Sequence, residues 1–395
     1  MSNRITRRSG PTFRRGWRQV IAIMTAACFM LGAMSLPVVA GTAPAKTVEA
    51  EVKSGPEISL NEAITMALVY SDRVKKATRE IDRTEKLREQ AAEDLDFIPI
   101  FPSGNAYLEM GWTNILTKDL QWRMSKKSLT AEEDAVVLDT CKKYWDVLVA
   151  QEKVKTAQAA ADSALKQLQN ARAGYQAGMA TQAVRIGAEA QYRGAQAALE
   201  AAQNELETAY IALNRLIGKQ PETKPILTDT VEFDPIVVYS LESEISRVLI
   251  ECPQVWLTEQ KVTLQEYLKD VMVYSGGEYR PYDARRIEIE QAEYDAADTK
   301  KAFKQMTRSL YYGVMSLEEG YAGALEGVRA AEENLRVVKA RYEVGMATRS
   351  EISAAEQTLS DAQTRAFDLA CQHAYMKLAF KKPWAYLSGI SAGGA

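Results

Sequence analysis

Nine residues, Ala188, Tyr192, Ala195, Leu199, Ala202, Leu206, Ala209, Leu213 and Leu216, step along the chain by four and three without a break. That spacing puts all of them on one stripe of an α-helix, small alternating with large as closely packed helices require. A stripe about four heptads long cannot stay in water, so it predicts a long helix laid against a partner. The partner lies just upstream: Val147, Val154, Ala161, Leu168 and Tyr175 recur every seven residues. No proline interrupts residues 103–220. A helix from about Leu120 to Gln176 is roughly 85 Å long at 1.5 Å per residue, which makes the molecule a rod or part of a tube.

Both series occur twice. Val314, Tyr321, Val328, Leu335 and Tyr342 repeat the first, and Ala355, Leu359, Ala362, Ala366, Leu369, His373, Met376 and Phe380 answer the second. Between the series stand YQAGMAT at 175–181 and YEVGMAT at 342–348. A glycine there can end a helix in the left-handed region, and a threonine three residues later has the position to cap the next helix. Both segments are therefore predicted as tips of antiparallel helical hairpins. Upstream, ISLNEAITMAL at 58–68 answers YSLESEISRVL at 239–249, a wider offset than the one between the tips, so the second half is shorter before its tip. The expected organisation is an N-terminal linker at 41–57, a first repeat at 58–217, a linker at 218–238, a second repeat at 239–383 and a tail at 384–395.

Residues 1–40 read differently. Six arginines and no acid precede an apolar run from Val20 to Ala40 that ends PVVA, the layout of a secretory signal cleaved after Ala40, with Ala43 as the second choice. Losing those arginines takes the formal charge from −3 to about −9, which speaks against sequence-independent nucleic-acid binding. Past the expected cleavage site the cysteines are three, Cys141, Cys252 and Cys371, an odd, widely spaced set without C-x-x-C, which fits neither a disulfide framework nor a zinc site and predicts small buried hydrophobes. No cofactor motif stands out, and an enzyme finds little support. The single histidine, His373, falls on the apolar seam, and GISAG at 389–393 has no following helix to build a nucleophile elbow.

The signal, the duplication, the opening ISLNEAITMAL, the tips of the form Y-x-x-G-x-x-T and the closing ALNRLIG at 212–218 together resemble the outer-membrane efflux protein family typified by TolC. The resemblance runs from about Ile58 to Phe380. It implies a mainly α fold of tandem-duplicated coiled-coil hairpins, each chain being one protomer of a trimeric α-barrel. That barrel continues into a β-barrel in the outer membrane and works with a periplasmic adaptor and an inner-membrane pump, in tripartite efflux or type I secretion. It assigns adaptor contact to Gly178, Met179, Ala180, Thr181, Gly345, Met346, Ala347 and Thr348. It also makes Glu351 a candidate for the pore entrance; the second acid of that ring is replaced by Ala354, and a locking arginine by Ala347.

Length argues against a full barrel. A strand pair crossing a membrane needs more than about 20 residues with its turn. In the first half, Leu108, Met110 and Trp112 alternate with Glu109 and Gly111 as a short strand does, with Tyr107 and Trp122 as interfacial aromatics. In the second half, VYSGGEYRPYD is predicted to be a turn and to account for the shortening. The β portion is thus expected to be reduced or absent. This leaves open an envelope protein of structural or binding type that keeps the helical tube without a complete pore.

Overall fold

The computed structural model describes residues 55–95, 97–98, 104–275 and 278–392. The signal sequence expected at 1–40 lies outside them. Nine helices make up the described part: α1 (Leu60–Tyr70), α2 (Asp72–Glu93), α3 (Ala106–Gln176), α4 (Gln182–Ile217), α5 (Leu241–Glu251), α6 (Pro253–Val271), α7 (Tyr282–Glu343), α8 (Arg349–Lys381) and α9 (Pro383–Ala392). Several starts have a local cause. Ser59 opens α1 with a capping box, its hydroxyl accepting from Glu62 N while the Glu62 carboxylate accepts from Ser59 N. Ser71 caps α2, Asn105 caps α3, and Pro253 takes the first position of α6, where a missing N–H costs nothing.

Two short helices, one long helix and one of intermediate length follow each other twice. The shortening of the second half is spread out rather than local. α2 has 22 residues and α6 has 19, the connection at 94–105 answers a slightly shorter one at 272–281, and α3 has 71 residues where α7 has 62. The expectation that the loss falls at VYSGGEYRPYD is thereby corrected. Most of it lies in the long helix.

Strands are few. Among the described residues, β1 (Glu57–Ile58) pairs in parallel with β2 (Ile226–Leu227), and β3 (Tyr274–Ser275) pairs antiparallel with β4 (Glu278–Tyr279). The described part of VYSGGEYRPYD carries no more than that two-residue ladder, as its length requires. The strand read at 108–112 is overturned, because those residues form the first turns of α3, which is 71 residues and about 107 Å long.

The four long helices lie side by side in the order α4, α3, α8, α7, with α2 against α3 and α6 against α7. Two clusters of buried residues fix this layer. One gathers Tyr144, Val147, Leu213 and Ile217 around α1, and the other gathers Val248, Val255, Val314 and Phe380 around α5, α7 and α9. In the first, the buried Tyr144 hydroxyl donates to Ile58 O and accepts from Asp229 N, both at 3.1 Å, which ties the start of the first half to the segment that follows α4.

Candidate functional site: the two hairpin tips

α3 turns into α4, and α7 into α8, through the same hydrogen-bond pattern. At the first tip Gly178 has φ +72°, Gly178 N donates to Tyr175 O (3.0 Å) and Met179 N donates to Gly174 O (2.8 Å). At the second, Gly345 has φ +74°, Gly345 N donates to Tyr342 O (3.0 Å) and Met346 N donates to Arg341 O (2.7 Å). Each is a complete Schellman motif, in which the left-handed glycine lets the last carbonyls of the helix find donors. Thr181 and Thr348 follow with extended backbones, and their hydroxyls accept from Val184 N (3.4 Å) and Glu351 N (3.3 Å). The helix-ending and helix-starting roles expected for these residues are what the structure shows.

The motif does not explain the residue after each glycine. In a Schellman turn an apolar residue there usually packs back on its own helix, yet Met179 is 83% exposed and Met346 70%. Both methionines point a flexible, polarizable side chain into open space, the kind of surface that adapts to a partner. A Cβ built on either glycine meets nothing within 4 Å, so both left-handed positions face open space. Around it, Arg185 lies over the Tyr175 ring at 5.5 Å and pairs with Glu189, while Arg341 donates to Met346 O. Ala180 and Ala347 are half-buried between these groups. Glu351 is exposed in the first turn of α8, where a carboxylate suits the helix N-terminus.

Polar contacts between α3 and α8 fix how the tips stand to one another. The Thr156 hydroxyl meets Ser360 (3.0 Å) and Thr364 (2.7 Å), and Lys166 Nζ donates to Ser353 Oγ (3.0 Å). On that antiparallel register the first tip stands a little over one helical turn, about 7 Å, beyond the second. The two tips form a stepped rim.

His373 is not part of it. The ring is buried on the seam, with Nε2 3.1 Å from Glu318 Oε1 and the Phe233 ring 4.6 Å away, and the same carboxylate oxygen accepts from Ile236 N (2.6 Å). It is a core histidine with its partner, holding the inter-repeat segment on α7 and α8. The GISAG side chains lie outside the described residues. Among the described residues, Cys141, Cys252 and Cys371 are free and buried, as small hydrophobes are. Sequence reasoning missed Glu109, treated there as the polar partner in a strand alternation. Its side chain is fully buried and accepts from Val273 N (2.7 Å) and Tyr274 N (2.6 Å).

This arrangement defines a class: paired helical hairpins of an α-barrel protomer, as in the channels of bacterial outer membranes. The Campylobacter jejuni CmeC outer membrane channel superposes with a TM-score of 0.63 at 14% identity, covering 91% of this chain and 94% of that one. The Neisseria gonorrhoeae MtrE outer membrane channel in its open state gives 0.57 at 17% identity, covering 92% and 98%. VceC of Vibrio cholerae gives 0.57 at 14%, covering 82% and 95%. In sequence, residues 120–219, which span most of α3 and all of α4, match the family described as outer membrane efflux protein. The resemblance read from the tips and repeats is thus the one the fold and the family match support. No curated protein sequence matches the chain.

Proposed function

We propose that this chain is the export-duct component of a tripartite efflux or type I secretion assembly. In that assembly copies of the chain, as a homotrimer, close a periplasmic tube at the outer membrane, and the two tips receive a periplasmic adaptor joined to an inner-membrane pump. The observation that carries this is the pair of matching tips, each holding an exposed methionine beside a left-handed glycine, at the end of hairpins with the outer-membrane channel fold. In this reading Gly178, Met179, Ala180, Thr181, Gly345, Met346, Ala347 and Thr348 contact the adaptor, and Glu351 faces the entrance. Replacing Gly178 and Gly345 by leucine is expected to weaken co-purification with a co-expressed adaptor while helicity by circular dichroism persists. Unchanged co-purification would reduce the tips to turns.

One observation favours a second reading, an envelope protein that keeps the tube without a complete pore. Only positions 94–105 separate α2 from α3, and only 272–281 separate α6 from α7. A single crossing by a strand takes about 9–11 residues. Neither connection has room for two crossings and a turn. Conductance across a planar bilayer separates the two: stable channels formed by the chain alone would exclude the second reading.

A further inference from the structure

Near the middle of α3, its neighbours α4 and α8 stand apart and leave an elongated groove of about 570 Å³ between them. Trp145, Val149 and Ala150 make the floor, and Ala209, Ala212 and Tyr375 stand in the walls. From Lys142 to Lys153 it runs about 16 Å. This is the side of α3 away from Tyr144, whose face is covered by α1 and the segment after α4. The gap has a cause in the sequence. Ala209 and Asp146 correspond in the second repeat to Met376 (376 − 209 = 167) and Gly313 (313 − 146 = 167), and there the Met376 methyl lies 3.1 Å from where a Cβ on Gly313 would stand. A methionine fills in one half the space that an alanine leaves in the other.

Most charges around the groove hold one another: Lys143 pairs with Asp146 (3.2 Å) and Lys153 with Glu205 (2.6 Å). Among the described residues two are left over. Lys142 is exposed and lies over the Tyr375 ring (5.3 Å) without a carboxylate in ion-pair reach, since Asp139, three residues before it, is held by Arg73 (3.2 Å). Asp368 accepts from Gln372 Nε2 (3.0 Å) and meets no cation. Its charge reaches the groove wall: burial first, then Asp368 and Asp146, lift the Cys371 thiol to about 12. On the register that sets Thr156 against Ser360 and Thr364, Asp368 stands level with Ala150, about 12 Å along α3 from Lys142. We propose that this groove binds a small zwitterion with a flat apolar body, its anionic group at Lys142 and its cationic group at Asp368. Trp145 and Tyr375 offer ring faces to the body, and the volume is that of a small-molecule site. A solute with one charge satisfies one end and leaves the other unpaired, which is how the site discriminates. The groove lies within a single chain, so binding depends on neither tube closure nor adaptor docking, and either can fail without the other.

The test is calorimetric titration of the full chain in detergent with a biphenyl that carries a carboxylate at one para end and an aminomethyl group at the other. Its methyl ester, which keeps only the cation, and biphenylcarboxylate, which keeps only the anion, serve as comparisons. One zwitterion should bind per chain, at least about fivefold more tightly than either comparison. Lys142→Met should erase the preference over the ester, and Asp368→Asn the preference over biphenylcarboxylate. Ala209→Leu with Ala212→Leu, which fills the groove, should abolish binding while helicity by circular dichroism persists. Absence of binding by the unaltered chain, equal affinity for all three compounds, or binding that survives the two leucines would overturn the site. Should the leucine variant fail to fold, the charge variants decide: preferences unmoved by both Lys142→Met and Asp368→Asn would place the compound elsewhere.

Discussion

The inner helices, α3 and α8, and the outer helices, α4 and α7, are built to different rules. From 112 to 173 α3 holds neither glycine nor proline, and α8 holds none at all, whereas α4 carries Gly187 and Gly194 and α7 carries Gly313, Gly320, Gly323 and Gly327. Burial divides the same way. Between 182 and 209 α4 has no buried residue, and beyond Val314 α7 has only Ala331, while α3 is buried at intervals from Leu120 to Leu168. Each interior glycine costs a helix roughly 0.5–1 kcal/mol against alanine; Gly313 makes room for Met376 of α8, but those that face open space are not there for the protomer's own stability. A Cβ at Gly187, Gly194, Gly323 or Gly327 meets nothing within 4 Å. The protomer stabilises itself along the inner pair and leaves the outer pair smooth for close approach by something else, which supports tube closure by further copies.

Thiol chemistry gives the sharpest test of that division. Cys141 on α3 and Cys371 on α8 are lifted by burial to about 11 and about 12 from an ordinary 9.0, Asp368 and Asp146 adding to the second. At fixed pH near neutrality the thiolate of Cys371 should be about a thousandfold scarcer than that of an exposed thiol, and that of Cys141 about a hundredfold. Native alkylation should be slowed at least accordingly and recover in denaturant; fast native labelling would break the picture of a tight inner pair. The sign for stability follows from the raised values. Below about pH 9 folded and unfolded chains both keep these protons, and above it the unfolded chain loses them first, so stability should fall as pH rises toward 11 and 12.

Truncation comes next in size. Leu168→Ala removes a side chain that is 2% exposed on α3 and should cost about 2–5 kcal/mol by urea denaturation. Leu199→Ala on the half-buried stripe of α4 should cost clearly less in the same assay; equal losses would erase the inner–outer distinction. The smallest effect is the most informative about assembly. Gly323→Ala with Gly327→Ala should stabilise the dissociated protomer slightly, by roughly 0.5–1 kcal/mol per site in urea denaturation, while weakening the oligomer in light scattering. A variant more stable in both states would mean that no neighbour packs there.

Much of this division is legible in the sequence. Every residue of the 188–216 stripe is half-buried or buried, and from 190 to 208 every residue off it is exposed, because a four–three spacing leaves one phase for a helix. Gly178 and Thr181, with their counterparts, were readable because few residues end and restart a helix so cheaply. The start of α3 was not. Leu108, Met110 and Trp112 alternate over too short a stretch to separate a period of 2 from 3.6. Glu109 looked solvent-facing because nothing local shows the backbone donors of Val273 and Tyr274, 164 and 165 positions away, that enclose it. Long-range capping of this kind leaves no local mark. The step between the tips was hidden for the same reason, since it is set by the side-chain contacts of Thr156 and Lys166 across the α3–α8 seam.

The stretch of α3 from 112 to 173, free of glycine and proline, has a mechanical consequence. Sharp bends in helices gather at proline, at glycine and serine pairs or at inserted turns, and the glycines of α3, Gly111 and Gly174, sit only near its two ends. The shaft therefore offers no glycine or proline at which a sharp bend can gather, and Glu109, with the backbone donors it holds, stands at the far end of one unbroken helix. α7, with four glycines between 313 and 327, is the compliant member of the same layer.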